Sequence, residues 1–393
     1  MPRPPRVTEC VARMPGAVYS PFADRMHEHP GPVYPLHVGD TWLTPPQGAR
    51  LEQIRIEDHP GIHQYCDTRG WPALVDALVE KARTRNGLPC ERESVLVAAG
   101  ATAALACAAG AIVSPGEEVL ILAPFWPLIR GIVQAFGGTP VEVPFYDRVN
   151  SADEAVAVVE ALCSERTVAL YVSTPSNPTG RVLPRAWLEG LTQLAQRRDL
   201  WLISDEVYED FVYTGEHVSP GGWAPERSLS IFSFSKAYGM AGNRVGYLVG
   251  PPALVDEARK IGTHTYYSAP TAAQVAGLRA LQDGAAWQKQ ARDHYRAAGR
   301  AAAGVLGLPA PQGSTFLFID VREQLDERGL DGLLADLFEE GVLVAPGASS
   351  GAAYADWIRL CYTVLPPEET AEAVARLARR LQGSAHVSDG RVG

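Results

Sequence analysis

Between residues 95 and 236 one arrangement recurs five times: a short apolar, β-branched run that stops at a residue a buried strand does not need. Val95–Val97 leads into Ala99-Gly100-Ala101, and Val119–Leu122 into Ala123-Pro124-Phe125-Trp126. Val168–Val172 runs into Ser173 and then Ser176-Asn177-Pro178-Thr179-Gly180. Leu200–Ser204 stops at Asp205, and Leu229–Phe232 at Ser233-Phe234-Ser235-Lys236. Strands that alternate with helical stretches build a mostly parallel sheet sandwiched by helices, because parallel neighbours need a long crossover. The fold class is therefore α/β. In such open sheets the ligand crevice lies outside the carboxyl ends of the strands. A sheet with no ligand would not need Asp, Lys and Asn at that edge.

This region spans residues 49–275 and reads as the large domain. The first 48 residues are rich in Pro, His and aromatics and read as an arm with at most one short helix, near Phe22–Glu28. After residue 275 an Ala/Arg-rich helical pattern (Gln274–Gly304) gives way to short strands at Phe316–Ile319, Val342–Val344 and Ile358–Tyr362. A final helix is expected from Pro367 to Gln382, opened by Glu368 and Glu369 and stopped by Gly383. Residues 276–383 thus read as a smaller α+β domain that the arm joins, and 384–393 as a frayed tail.

Composition narrows the function. With 46% hydrophobic and 20% charged residues the chain is no disordered protein. A formal net charge of −10 makes it a poor partner for nucleic acid or an anionic membrane. The uncharged stretch Val95–Val113 imitates a membrane span, but nine of its residues are alanine and Gly100 interrupts it. It reads as a buried strand, a glycine turn and a buried helix. The six cysteines form no CxxC pair, and the N-terminus has no apolar leader segment, so a reducing cytoplasm is the expected compartment. No metal site is expected: Pro30-Gly31 follows His27-Glu28-His29, and Pro60-Gly61 breaks any helix joining His59 to His63.

Each residue at the strand ends has an ordinary structural explanation when taken alone. Lys236 would be a snorkelling lysine, Asp205 a helix cap, Tyr208 and Trp126 core aromatics, Asn177 a turn former, Gly100 a tight turn and Arg359 half of an internal salt bridge. Together they answer one ligand. A lysine at the end of an apolar run can have a depressed pKa and form an imine. A carboxylate emerging from a buried strand suits a protonated pyridine nitrogen. Tyr208 supplies a donor for a phenolate oxygen, and so does Asn177. Bare N–H groups around Gly100 and Ala101, the hydroxyls of Ser233 and Ser235 and the guanidinium of Arg244 suit a phosphate. Trp126 supplies a face to stack on a planar ring. These groups describe a cradle for pyridoxal 5′-phosphate.

The motifs Ser176-Asn177-Pro178-Thr179-Gly180, Asp205-Glu206-Val207-Tyr208 and Ser233-Phe234-Ser235-Lys236, with Arg244 eight residues on, resemble the class I/II aminotransferases of the aspartate aminotransferase fold (fold type I). The resemblance covers about residues 15–382. It implies that Lys236 is the internal aldimine lysine and Asp205 the partner of the pyridine nitrogen. It implies that Asn177 and Tyr208 contact the ring oxygen, that Trp126 stacks, and that Gly100, Ala101, Ser233 and Arg244 hold the phosphate. Tyr65 matches, less specifically, a tyrosine that the neighbouring subunit contributes, since members are usually homodimers. Gly39 and Arg359 match the substrate-carboxylate end.

The implied reaction moves an α-amino group from an L-amino acid to a 2-oxo acid. The same residues also support a lyase, a cyclase or an oxidase, because fold does not fix function. No unambiguous cation is available for a side-chain carboxylate; Arg130 is the nearest candidate. Tyr19, Phe22, Tyr34, Trp42, Tyr266 and Tyr267 either line an apolar substrate pocket or pack the arm onto the body.

Overall fold

A computed structural model describes residues 4–14, 16 and 19–385. Seven strands form the main sheet: β1 (Val95–Ala98), β2 (Glu118–Ala123), β3 (Thr139–Pro144), β4 (Thr167–Ser173), β5 (Trp201–Asp205), β6 (Ser228–Ser233) and β7 (Gly246–Val249). Their order is β1-β7-β6-β5-β4-β2-β3. All neighbours are parallel except β7, which runs antiparallel to both β1 and β6.

Alternation along the strands sends side chains to opposite faces, and each face is covered. Val119 and Ile121 of β2 pack with the helices Ala101–Ile112 and Pro252–Thr265 through Leu105, Val255 and Ala258. Leu120 and Leu122 face the other way, onto Val159, Leu188 and Leu191. The stretch that imitates a membrane span is β1 plus the helix Ala101–Ile112, and no described helix is long and apolar enough to cross a membrane.

Two strands, β3 and β7, lie outside the runs that the sequence marks as strands. β3 is a half-exposed edge strand containing Pro140 and Pro144, residues that edges tolerate. β7 is four residues long and begins at a glycine, so it carries little strand signal.

The second sheet has three antiparallel strands, β8 (Phe316–Asp320), β9 (Ala345–Pro346) and β10 (Trp357–Cys361), in the order β8-β10-β9. Its core joins Leu317, Ile319 and Ile358 to Leu337, Val374 and the arm's Leu36. The expected strand at Val342–Val344 is displaced to β9. Here the arm takes the hydrogen bonds: Tyr34 N–H donates to Gly341 O at 2.7 Å and Leu343 N–H to Tyr34 O at 3.1 Å. The arm helix at Ala23–Glu28 is a 3₁₀ helix, and a single turn at Glu9–Ala12 precedes it. The Gln274–Gly304 pattern divides into Thr271–Asp283 and Ala285–Val305, and Ala276 and Ala280 of the first pack with Leu74 and Leu78. The last helix continues to Ala385, through Gly383, where nothing crowds the glycine and its weaker propensity is tolerated. Residues 384 and 385, expected in the tail, belong to this helix, and the rest of that segment, 386–393, lies outside the described residues.

Candidate active site

Strand register brings the polar strand ends into one row. Ala98 pairs with Gly246, Gly246 with Ser233, Ile231 with Asp205, and Asp205 with Ser173. A cleft of about 250 Å³ opens beside this row. Gly39, Ala101, Trp126, Asn177, Asp205 and Tyr208 line it, together with Ser233, Ser235, Lys236, Arg244 and Arg359. Thus the side chains at 205 and 236 share one cleft although they come from different strands.

At one end the helix Ala101–Ile112 points its first turn into the cleft, leaving early N–H groups without intrahelical partners. Gly100 adopts φ +84°, and a Cβ placed there would meet Arg244 Nη2 at 2.3 Å. The guanidinium lies across this glycine, donating to Ala241 O at 2.9 Å and Ala99 O at 3.3 Å. Ser233 caps the turn Phe234–Ala237 by accepting the Ser235 N–H at 3.0 Å. Backbone donors, two hydroxyls and a guanidinium converge here.

Lys236 follows in that turn. Its side chain is 12% exposed, and Nζ lies 3.5 Å from Asp40 Oδ1. Burial holds its amine below the ordinary lysine range, against the opposing pull of Asp40. Asp205 ends β5 and is buried. It accepts the Tyr171 hydroxyl at 2.5 Å and the Val207 N–H at 3.3 Å, and no cation lies within ion-pair distance among the described residues. Burial pushes its carboxyl up to about 6. Tyr208 lies in a turn rather than a helix, its ring edge-on to Phe316 at 5.9 Å.

Arg359 enters from β10, buried and 4.6 Å above the Phe316 ring. Nη1 donates to Asn177 Oδ1 at 3.1 Å and Nη2 to His37 O at 2.9 Å, while Nε has no partner. No carboxylate pairs with it among the described residues, so it is not half of an internal salt bridge. Gly39 also touches Phe316: a Cβ there would come within 2.8 Å of Cζ. Burial pushes the neighbouring His37 down to about 4, so it adds no charge near neutral pH.

Some expected residues lie elsewhere. Tyr65 is 86% exposed, outside this cleft, with its ring 4.8 Å from Tyr267. Arg130 is held by Glu142 at 3.1 Å and does not line the cleft. Of the aromatic candidates, Tyr19 lines the cleft. The others pack: Phe22 on Phe338 at 5.0 Å, Tyr34 under Arg376, Trp42 beside His294, and Tyr266 against Cys107. Leu105, Leu128 and Phe316 complete the apolar wall, and Tyr171 stands behind Asp205. A leucine or tyrosine in an apolar run carries no sign of its own that it faces a cleft or a carboxylate.

The donor set fits pyridoxal 5′-phosphate. A dianionic phosphate suits the Gly100–Arg244 end, a protonated pyridine nitrogen suits the carboxylate that has no counter-ion, and Lys236 lies in the same cleft for the aldehyde. Comparison with known proteins agrees. The family model described as aminotransferase class I and II matches residues 32–377. The chain is 36% identical over 334 residues to the aspartate/prephenate aminotransferase of Thermus thermophilus, covering 82% of this chain and 84% of the relative. It is 34% identical over 359 residues to an arginine–pyruvate transaminase of Pseudomonas aeruginosa, covering 87% and 88%. A solved aspartate aminotransferase of Thermus thermophilus with maleate superposes with a TM-score of 0.87 at 31% identity, covering 96% of this chain and all of that one.

Proposed function

Since the chain belongs to the aminotransferase class I and II family, whose members generally use pyridoxal 5′-phosphate, we propose that it holds this cofactor on Lys236 and transfers the amino group of an L-amino acid with an uncharged side chain to a 2-oxo acid. The observation that carries the reading is the buried Asp205, without a cation, in the same cleft as Lys236 and Arg359.

When bound, the cofactor supplies an electron sink for the charge left at Cα. The chain does the rest. Arg359 grips the substrate carboxylate in a buried setting, where its unpartnered Nε leaves bonding capacity. That grip orients the Cα–H bond toward the Lys236 amine. Lys236, its amine held below the ordinary lysine range by burial, takes the Cα proton and returns it one position along. Asp205 holds a proton on the pyridine nitrogen by charge. Asn177 bonds Arg359 and so ties the carboxylate end to the ring end.

Lys236, Arg244 and Arg359 are the cations lining the cleft among the described residues, and all three have assigned partners. With Arg130 bound to Glu142, no cation of the described residues remains at the cleft for a side-chain carboxylate, and Tyr19, Leu105 and Leu128 present apolar surface instead. A homodimer, in which Tyr65 reaches a neighbour's cleft, belongs to the same proposal. So does a cytoplasmic setting, supported by six free cysteines. The division into an arm, a large domain and a small domain is proposed with its second boundary at Gly284, because Ala276 and Ala280 pack with the large sheet's helices.

The test has two stages. Purified protein with cofactor should show a visible band that borohydride bleaches, leaving the label on Lys236; Lys236→Ala should take no label. An amino-acid panel, run anaerobically and in air, should then yield stoichiometric 2-oxo acid, with hydrophobic and aromatic donors preferred. Failure to bind cofactor overturns the reading. Oxygen uptake, or product formed without an amino acceptor, replaces transamination by an oxidase, lyase or cyclase.

A further inference from the structure

Tyr171 is absent from the cleft lining yet makes the shortest contact to its central carboxylate. It lies on β4, two residues before Ser173, which pairs with Asp205 on β5. Two positions along a strand restore the same face, so the Tyr171 ring and the Asp205 carboxyl meet on one side of the sheet. Tyr171 is fully buried, packed with Ile121, Ile203 and Ile231. From that apolar setting its hydroxyl donates to Asp205 Oδ2 at 2.5 Å, within the range of charge-assisted O–H···O⁻ bonds.

We propose that Tyr171 is a positioning residue: its hydroxyl keeps Asp205 ionised and oriented, and through Asp205 keeps the cofactor's pyridine nitrogen protonated. This rests on the function proposed above.

The chemistry favours tyrosine for the task. Asp205 is buried beside Glu206, and both facts favour its neutral form. Two hydrogen bonds oppose them, from Tyr171 and from the Val207 amide. A lysine or arginine behind Asp205 would also keep it ionised, but would cancel the charge the ring nitrogen needs. A neutral donor stabilises the carboxylate without cancelling it. Tyr171 keeps its own proton, because burial and the Asp205 charge hold the phenol well above the ordinary tyrosine range. The strand end is pinned separately: Tyr146 donates to Ser173 O at 2.5 Å and accepts the Ser173 N–H at 3.1 Å. Besides Tyr171, the titratable groups that feel Asp205 are Glu206 on its own segment, Tyr146 and Tyr208.

The experiment uses the holoenzyme of wild type, Tyr171→Phe, Asp205→Asn and the double variant, loaded with cofactor labelled with ¹⁵N in the ring. Tyr171→Phe should still take the borohydride label at Lys236. Its ring-nitrogen signal should move toward that of neutral pyridine at neutral pH, and its cofactor affinity should fall about tenfold. In the Asp205→Asn background the same change should have almost no further effect on affinity. An unchanged ring-nitrogen signal overturns the proposal. So does an equal loss of affinity in both backgrounds, which marks a packing role. As a measurement independent of the phenylalanine variant's folding, the wild-type holoenzyme should show a far-downfield hydroxyl proton that Asp205→Asn abolishes; its absence also overturns the proposal. If wild type itself takes no label at Lys236, the broader functional reading has failed instead.

Discussion

Replacing Gly100 by alanine perturbs the phosphate end of the cleft with a single methyl. That methyl would sit 2.3 Å from Arg244 Nη2 and 2.8 Å from Cζ, far inside contact distance. The guanidinium is the flexible end of its side chain and can retreat, but only by leaving Ala99 O and Ala241 O and the position where a phosphate would meet it. The backbone at φ +84° adds strain of about 1–3 kcal/mol for any L side chain. Losing one charge-assisted hydrogen bond to the phosphate removes about 1.5–3 kcal/mol more from cofactor binding. The expected result is a cofactor Kd raised about 10- to 150-fold, with an apoprotein destabilised by about 1–3 kcal/mol. Gly242→Ala is the matched control, since no atom lies within 4 Å of its added Cβ. The assay is absorbance titration of apoprotein with pyridoxal phosphate and, in parallel, with pyridoxal. Equal weakening for both compounds would refute the assignment of this end to the phosphate, as would an unchanged affinity in Gly100→Ala.

Other outcomes follow from neighbouring groups. Arg359→Ala should raise KM for the amino acid about a hundredfold while cofactor affinity stays put, and an unchanged KM removes Arg359 from carboxylate binding. Lys81 and Glu209 form a buried pair at 2.5 Å beneath the turn that carries Tyr208. Lys81→Met, which leaves Glu209 without its cation, should destabilise the fold by about 3–5 kcal/mol in urea unfolding, and a loss below about 1 kcal/mol contradicts this. Asp205 is pushed from its ordinary 3.8 up to about 6 in the folded protein without cofactor. The folded state therefore holds that proton more tightly; the resulting stability is full below pH 3.8 and is lost as pH rises through 6. Asp205→Asn apoprotein should accordingly gain about 3 kcal/mol on wild type between the two pH limits, whereas a gap that ignores pH would rule out a buried, shifted carboxyl.

Much of the site was legible in the order of residues because parallel strands impose an edge. Once Val95–Val97, Leu200–Ser204 and Leu229–Phe232 read as strands of one mostly parallel sheet, Gly100, Asp205 and Lys236 were placed at one edge of it. Local chemistry did the same for Ser233 and Arg244. What escaped was whatever depended on a partner distant in sequence. Arg130 and Arg359 are told apart by what stands opposite: Glu142 neutralises the first, whereas Asn177 and a backbone carbonyl meet the second. Val342–Val344 has the apolar content of a strand, but its Val342 N–H goes to Leu337 O of the preceding helix and its Leu343 N–H to Tyr34 O of the arm.

The linear sequence by itself determined the α/β architecture and the set of chemical groups at the strand ends, because side-chain periodicity and strand–helix alternation are local properties. Tertiary structure alone decided that Tyr171 meets Asp205, that Tyr19 faces the cleft while Phe22 and Tyr34 pack, and that among the described residues Asp205 has no cation beside it. Those facts depend on register between strands and on burial, which set the energy of a charge or a hydrogen bond and are not properties of any short segment.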